Sequence, residues 1–325
     1  MQARAARIEA TGGPEVIRIV DVEVPEPGPG EVRMRNTAIG LNYIDTYHRS
    51  GLYPLELPTG LGGEAAGVVE AVGEGVEGFA PGDRVATFGP TRGAYTTARN
   101  VPAKELFHLP DDIDERTAAA LMLKGCTTEY LVERIAKVEP GQTALVHAAA
   151  GGVGQLLVGW LKALGVTVIG TVGSEEKAEA ARKSGADHVI LHKSEDVAKR
   201  VREITDGAGV PVVFDGVGAA TWEVSLASAA RRGLIVSYGN AGGAVTGVNL
   251  GVLSAKGSLF VTRPTLFDYY ATPEERKAGV ERVFAMLRAG AIKPEIGRTF
   301  ALEDAADAHR AMEAGETLGS SLLIP

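Results

Sequence analysis

The sequence predicts an α/β protein in which a doubly wound parallel sheet is inserted into a β-rich domain. Short alternating segments between glycine and proline turns fill residues 4–120, a pattern that favours antiparallel strands. Strands and helix-like stretches then alternate strictly as far as residue 263, as in a parallel sheet covered on both faces. The length of 325 residues is sufficient for two such domains.

The predicted organisation has a β-rich domain at 1–120, a doubly wound domain at 121–263 and a return to the first domain at 264–325. Strands of the first domain are expected within EVRMRNTAIG, GEAAGVVEAVGEGV and GDRVATFG, which alternate between turns. The return is the simplest explanation of the change in pattern after residue 263, where a helix at 273–288 precedes a mixed tail.

The doubly wound domain begins with a helix predicted at 117–136, which the Glu-Pro-Gly of 139–141 ends. Six strands follow, and most are apolar throughout because a parallel sheet is buried on both faces. These strands are predicted at 143–148, 166–172, 188–191, 211–215, 233–238 and 258–262.

Charge and cysteine content limit the partners and the compartment. The 33 basic and 41 acidic side chains give a net charge of -8, which makes nucleic acid and anionic membranes poor default partners. The one cysteine, Cys126, excludes an intramolecular disulfide and is expected to be buried and inert. A reducing cytoplasm fits this composition, and the first 13 residues lack the apolar run of a secretory signal.

A glycine-rich turn between a predicted strand and a predicted helix indicates a dinucleotide site. The spacing is A-x-x-G-x-x-G from Ala148 to Gly154, and the turn residues are Gly151, Gly152, Val153 and Gly154. Glycine permits the tight turn and the close approach of backbone to a diphosphate, which the helix start attracts. The position at the first of six strands predicts a Rossmann-type cofactor domain, with a glycine turn that binds no ligand as the alternative.

The end of the second strand predicts NADPH over NADH. An NAD-binding protein carries a carboxylate there for the ribose hydroxyls, whereas this strand ends in Thr171, Val172, Gly173 and Ser174. Lys177 follows, where an amine beside the Ser174 hydroxyl suits a 2′-phosphate. One alternative is that Lys177 is a solvated charge on the helix surface. The other is that Glu175 or Glu176 reaches back to the ribose hydroxyls. His192 is expected against the adenine or the phosphate, or on the surface.

Several motifs together resemble the quinone oxidoreductases of the medium-chain dehydrogenase/reductase superfamily, the zeta-crystallin-like proteins. They are the run PEVIRIVDVEVPEPGPGEVRMRNTAIGLNYIDTYHRSGLYP, then GLGGEAAGVVEAVG, GDRV, LKGCTTEY and HAAAGGVG, and the similarity continues to the terminal GSSLLIP. The resemblance implies a GroES-like catalytic domain that carries the inserted Rossmann domain. One departure is Gly159, where the family usually has glutamine. The other is near Gly315, where bacterial relatives carry an arginine that helps hold the cofactor.

The resemblance also implies that no zinc is used. Zinc alcohol dehydrogenases of this superfamily supply a cysteine and a histidine from two stretches that here read Gly-Leu-Asn-Tyr-Ile-Asp at 40–45 and Gly-Gly-Glu at 62–64. His188 and His192 are ~13 Å apart on the predicted strand, too far to share an ion. The alternative is a helical segment, on which this spacing would allow them to chelate one. Electron-poor acceptors such as quinones are therefore expected. One-electron transfer through a semiquinone and two-electron transfer both stay open.

The family's site residues transfer to positions that match its motifs. By resemblance, Asn42, Tyr47 and Tyr53 are catalytic residues in a substrate cleft between the two domains. Both tyrosines are alternatively half-buried aromatics, and Asp45 and Glu64 are more often structural partners than acids or bases. Further cofactor contacts implied by the resemblance are Asn42, Tyr130, Gly239, Asn240 and Pro264.

The sequence therefore predicts an enzyme that reduces quinones with NADPH. The alternatives are an enone or enoyl reductase of the same superfamily, and a non-catalytic protein that senses NADPH or binds RNA. A homodimer is expected, because the strand at 257–262 ends the predicted sheet and is able to pair with its copy in a second subunit.

Overall fold

The computed structural model describes residues 1–325, which form two compact units. Unit 1 comprises Met1–Leu123 and Pro294–Pro325, and unit 2 comprises Lys124–Lys293. The tail thus returns to the first unit at residue 294 and not at the predicted 264. The reason lies in the helix at 273–288, whose Arg282 guanidinium donates to the Glu133 carboxylate at 2.8 Å and belongs with unit 2.

The elements follow in chain order. The strands are β1 (Gln2–Ile8), β2 (Arg18–Glu23), β3 (Glu31–Leu41), β4 (Thr59–Gly60), β5 (Glu64–Val72), β6 (Arg84–Phe88), β7 (Ala98–Pro102), β8 (Leu106–His108), β9 (Thr143–Val146), β10 (Thr167–Val172), β11 (His188–Leu191), β12 (Val210–Asp215), β13 (Ala229–Ser237), β14 (Phe260–Thr262), β15 (Ile296–Ala301) and β16 (Ser320–Ile324). The helices are α1 (Tyr43–Ser50), α2 (Glu115–Glu129), α3 (Gly152–Ala163), α4 (Glu175–Lys183), α5 (Val197–Ile204), α6 (Trp222–Ser228), α7 (Gly251–Ala255), α8 (Leu266–Tyr269), α9 (Pro273–Arg288) and α10 (Ala305–Glu313). None of these helices combines the length and the apolar composition needed to cross a bilayer.

Unit 1 is built from two sheets. One has the order β2-β1-β4, and the other has the order β15-β16-β3-β5-β6-β8 with β7 also paired to β3. The last strand, β16, lies antiparallel to β3 and pairs Leu322 with Gly40. Alternate side chains of these strands point into a core that includes Ile8, Met34 and Ile39, all fully buried.

Unit 2 contains a six-stranded parallel sheet of order β11-β10-β9-β12-β13-β14. All six predicted strands are present, and the doubly wound fold is confirmed. The strands are apolar on both faces, as the consecutive residues Ala144, Leu145 and Val146 of β9 illustrate, each at most 1% exposed. The direction of winding reverses between β9 and β12, so the switch point, where such sheets bind ligands, lies beside β9.

The helix predicted at 117–136 is two elements. The α-helix α2 ends at Glu129, and a π-helix continues over Tyr130–Ala136 until Lys137, whose φ of 47° ends it. Both helices are apolar at similar spacing, so the sequence pattern does not reveal the change of hydrogen bonding.

Both glycines that depart from the expected family residues are required by local geometry. A Cβ at Gly159, on α3, would lie 2.5 Å from the Ala291 carbonyl oxygen, so the segment after α9 packs directly on the helix backbone. Gly315 follows α10 with a φ of 67°, in the left-handed region that favours glycine.

Candidate functional site

The predicted phosphate turn connects β9 to α3. Ala148 opens it with a φ of 51°, which is unusual for a residue with a side chain. Its carbonyl oxygen accepts a hydrogen bond from Gly151 at 2.9 Å, and a Cβ on Gly154 would lie 2.2 Å from the same oxygen. Only glycine at 154 therefore permits this turn to fold back on itself.

The start of α3 presents unused donors. Its first backbone hydrogen bond runs from Gln155 to the Gly151 oxygen, which leaves the N–H groups of Gly152, Val153 and Gly154 without a carbonyl acceptor at the positive end of the helix dipole. Such a group of donors fits a diphosphate. The structure thus brings the four predicted turn residues to one place.

A basic cluster surrounds Gly173 at the carboxyl end of β10. The missing side chain of Gly173 leaves space for His192 and Lys193, since a Cβ there would lie 3.2 Å from His192 Nε2 and 3.5 Å from Lys193 Cε. Burial, Lys193 and Lys177 lower the pKa of His192, which shows that the two ammonium groups act on its imidazole. Ser174 caps α4 by accepting from the Lys177 N–H at 3.4 Å.

This cluster fits the 2′-phosphate that distinguishes NADPH from NADH. Glu175 and Glu176 were the alternative partners for the ribose hydroxyls. Of these two, Glu175 instead forms an ion pair with Arg182 on α4, at 3.7 Å. Sequence reasoning missed Lys193, although it lies two residues after β11, the strand that pairs with β10.

The loops after β12 and β13 interlock through backbone atoms. A Cβ at Gly239 would lie 2.2 Å from the Gly216 oxygen, and the Gly242 N–H donates to the Val217 oxygen at 2.7 Å. Asn240 lies within this loop and accepts from Gly243 through its carbonyl at 3.0 Å. Gly239 and Asn240 are therefore held at the carboxyl edge of the sheet, the edge that also carries the glycine turn.

A buried polar chain, missed by sequence reasoning, joins three strand ends below the turn. The Ser225 hydroxyl donates to the Asp215 carboxylate at 2.6 Å, so its oxygen accepts from His147 Nε2 at 3.1 Å. His147 Nδ1 then accepts from the Thr171 hydroxyl at 2.9 Å. Because burial lowers the pKa of His147, the imidazole is neutral and the chain has one direction.

Tyr130 and the segment after β14 lie in unit 2. Tyr130 begins the π-helix, is buried, and stacks on Tyr269 with ring centroids 5.1 Å apart. Pro264 follows Arg263, whose guanidinium donates to the Ser237 oxygen at 2.8 Å and acts electrostatically on the Tyr130 phenol. Tyr130 and the Pro264 segment are thereby brought together.

In unit 1, Asn42 is fixed by two carboxylates. It precedes α1, and its N–H donates to Asp45 Oδ2 at 3.0 Å while its amide Nδ2 donates to Glu64 Oε2 at 2.7 Å. The second oxygen of Glu64 accepts from the Leu123 N–H at 2.7 Å. Asp45 and Glu64 are therefore structural partners, the interpretation the sequence favoured.

Tyr47 and Tyr53 lie together in an aromatic cluster of unit 1. Their rings meet edge to face at 5.2 Å, and Tyr43 packs on Tyr47 at 5.7 Å. Tyr47 is buried at 7% exposure and Tyr53 is half-buried, so the aromatic packing of the alternative interpretation is present. The role of their hydroxyls toward a substrate stays a prediction.

A second buried polar chain links α1 to α10. The Tyr95 hydroxyl donates to Asp45 Oδ2 at 2.9 Å and accepts from His309 Nε2 at 3.1 Å. Arginine has only donors, so His309 Nδ1 accepts the hydrogen bond from Arg49 at 3.2 Å. Arg49 also forms an ion pair with the Glu313 carboxylate at 2.6 Å. No sequence pattern indicated it, since its members are up to 264 residues apart.

The cysteine and the potential metal ligands complete the comparison with the sequence. Cys126 is fully buried, as expected. The structure contains no group of three or more His, Cys, Asp or Glu side chains arranged to hold a metal ion.

Comparisons with known proteins agree with this geometry. Residues 152–274 match the family model of zinc-binding dehydrogenases, and residues 28–111 match that of alcohol dehydrogenase GroES-like domains. The sequence is 54% identical to a quinone oxidoreductase of Pseudomonas aeruginosa over 99% of this chain and 100% of that protein. The structure resembles quinone oxidoreductases of Pseudomonas syringae, at 51% identity, and of Escherichia coli in complex with NADPH, at 47%. Each has a TM-score of 0.97 over 99% of this chain and 100% of its own.

Proposed function

Because this chain belongs to the quinone oxidoreductases of the medium-chain dehydrogenase/reductase superfamily, we propose that it catalyses the NADPH-dependent reduction of quinones. One observation of the structure carries the proposal: three unused N–H donors at the start of α3 lie at the same sheet edge as the basic cluster at Gly173. This edge suits a dinucleotide with an additional phosphate.

The residues of unit 2 fit NADPH. The turn at 151–154 would hold the diphosphate, and Ser174, Lys177 and His192 would hold the 2′-phosphate. Tyr130, Gly239, Asn240 and Pro264 are proposed as further contacts. When bound, NADPH supplies two electrons and one proton, and a second proton from water completes the hydroquinone.

In unit 1 we propose Asn42, Tyr47 and Tyr53 as the catalytic residues. Asn42 has a fixed orientation because both hydrogen bonds to its carboxylate partners are made, and phenol hydroxyls stabilise charge on a quinone oxygen. The reaction is proposed to use no zinc, because neither stretch, 40–45 or 62–64, offers a cysteine or a histidine.

The direct test follows NADPH absorbance with a panel of ortho-quinones, para-quinones and short enones. We expect oxidation of NADPH that depends on quinone, slower oxidation with NADH, and lower rates after Asn42→Ala or Tyr47→Phe. Binding of NADPH without turnover of any acceptor would contradict the proposal that the protein is an enzyme. Turnover of enones alone would contradict the proposal that quinones are its substrates.

A homodimer is proposed through β14. This strand is the edge of the sheet, and Phe260 and Val261 expose 63% and 38% of their surface. Pairing with a second copy would cover both the open edge and these apolar side chains. Light scattering is expected to give the dimer mass for the native protein and the monomer mass for Phe260→Asp. A monomeric native protein would contradict the proposal.

We also propose a cytoplasmic location. The only cysteine is buried and forms no disulfide, which suits a reducing compartment. Fractionation of cells that produce the protein tests this, and recovery outside the cytoplasmic fraction would contradict it.

A further inference from the structure

The buried polar chain below the glycine turn has no step in the proposed reaction, yet it joins the segments proposed to hold the cofactor. We call it the His147 chain, and its members, each at most 2% exposed, are Asp215, Ser225, His147 and Thr171. Its three hydrogen bonds measure 2.6 Å, 3.1 Å and 2.9 Å in that order. Because the carboxylate only accepts and the ring is neutral, every member has a fixed role as donor or acceptor.

At one end, the chain fixes the loop after β12. Asp215 Oδ1 accepts from the backbone N–H groups of Val217 at 2.9 Å and Gly218 at 3.0 Å. The Val217 carbonyl in turn accepts from Gly242, in the loop after β13, at 2.7 Å. The second loop carries the proposed cofactor contacts at 239–240, so the position of these contacts depends on the Asp215 carboxylate.

In the middle of the chain, His147 holds the start of the phosphate turn. The next residue, Ala148, has a φ of 51°, a conformation that persists only where the surrounding structure fixes it. The His147 ring is held at both nitrogens, and its backbone N–H donates to the Phe214 oxygen at 3.0 Å. The Ala148 carbonyl accepts from Gly151 at 2.9 Å. The orientation of His147 therefore determines where the turn begins.

At the other end, Thr171 places the carboxyl end of β10. Its hydroxyl donates to His147, and its carbonyl oxygen accepts from the Ala149 N–H at 3.1 Å. Two residues later, Gly173 marks the basic cluster proposed to bind the 2′-phosphate. The strand end and the phosphate turn are thus joined twice, once through side chains and once through backbone.

We propose that His147 is a positioning residue for NADPH, whose chain holds the phosphate turn, the basic cluster and the loop after β13 in the arrangement that binds the cofactor. This inference rests on the proposed function. A broken chain would leave these segments to be ordered during binding, which weakens affinity. The competing interpretation is that the chain stabilises only the sheet, in which case Tm falls and the Kd for NADPH stays the same.

Isosteric variants test the chain through the Kd for NADPH, measured by fluorescence titration at a temperature where every variant is folded. We expect Thr171→Val and Ser225→Ala, which each remove one hydroxyl, to raise Kd about tenfold. Thr171→Ser keeps the hydroxyl and is expected to retain most of the affinity. Thr167→Val is the matched control, because it makes the same change at the first residue of β10 and is expected to leave Kd unchanged.

A double-mutant cycle separates one chain from two independent effects. Either substitution breaks the same chain, so the variant with both Thr171→Val and Ser225→Ala is expected to raise Kd only about as much as the larger single effect. Nitrogen NMR is expected to report the Nε2–H tautomer of His147, with the signal assigned by its loss in His147→Gln.

Four outcomes would overturn the inference alone. They are an unchanged Kd in both single variants, an equal rise in Thr167→Val, single effects that multiply in the double variant, and the Nδ1–H tautomer of His147. Failure of the native protein to bind NADPH would instead contradict the proposed function.

Discussion

At the scale of single residues, the proposed preference for NADPH rests on the side chains that surround a glycine. Gly173 has no Cβ, so His192 and Lys193 approach the end of β10 where Lys177 also acts. A phosphate there would meet two ammonium groups and an imidazole. A ribose hydroxyl would find no carboxylate at the strand end, which is why the unphosphorylated cofactor is expected to bind more weakly.

Replacement of Lys177 tests this preference. We expect Lys177→Ala to raise KM for NADPH about tenfold through loss of one charged contact, with a much smaller change for NADH. Lys199→Ala, on the exposed start of α5, is the control and is expected to change neither value. Equal effects of Lys177→Ala on both cofactors would show that this lysine does not contact the 2′-phosphate.

At the scale of elements, α3 is positioned by a glycine that no motif of the turn requires. Gly159 lies seven residues beyond the start of the helix and allows the Ala291 carbonyl to contact the helix backbone. The same helix carries the unused N–H groups at its start. Its packing against the segment after α9 therefore fixes where those donors lie.

A single methyl group tests this packing. We expect Gly159→Ala to destabilise the protein by about 1–3 kcal/mol, because the Cβ would lie 2.5 Å from a backbone oxygen that must move. Ala163→Ser, on the exposed side of the same helix, is expected to change stability by less than about 0.5 kcal/mol. Thermal unfolding measures both, and an unchanged Tm for Gly159→Ala would mean that the two segments separate readily.

The secondary structure agrees with the prediction where the spacing of apolar residues within one segment is enough to identify the element. The strands of unit 2 and the helix at 273–288 agree with prediction because their apolar spacing is fixed by their own period. The π-helix that begins at Tyr130 was not predicted. Its backbone hydrogen bonds span five residues where those of an α-helix span four, and the amino-acid composition does not show this difference.

At the scale of the whole molecule, three buried neutral histidines couple stability to pH. Burial and Arg49 lower the pKa of His309 to about 3, burial and Arg92 lower that of His48 to about 4, and burial lowers that of His147. In the unfolded chain all three titrate at about 6.5. As the pH falls below that value, only the unfolded chain takes up protons, so stability falls until the folded values are reached.

We expect acidification from pH 7 to pH 5 to lower stability, with about 2 kcal/mol contributed by His309. Carboxylates titrate mostly below this window. His309→Gln is expected to reduce the slope of Tm against pH, whereas His108→Gln, at an exposed site, leaves it unchanged. A slope that is the same in native protein and His309→Gln would mean that His309 protonates without unfolding.

The sequence by itself determined the doubly wound sheet, the glycine turn and the lack of a carboxylate after β10. These features are local: strand period, a turn that needs glycine, and the residue that follows a strand are all read within about 30 residues. Tertiary structure alone decided the return of the tail at residue 294, the chain through Tyr95 and His309, and the pairing of His48 with Arg92. These depend on contacts between distant segments, and packing, not sequence spacing, selects which buried donor meets which acceptor.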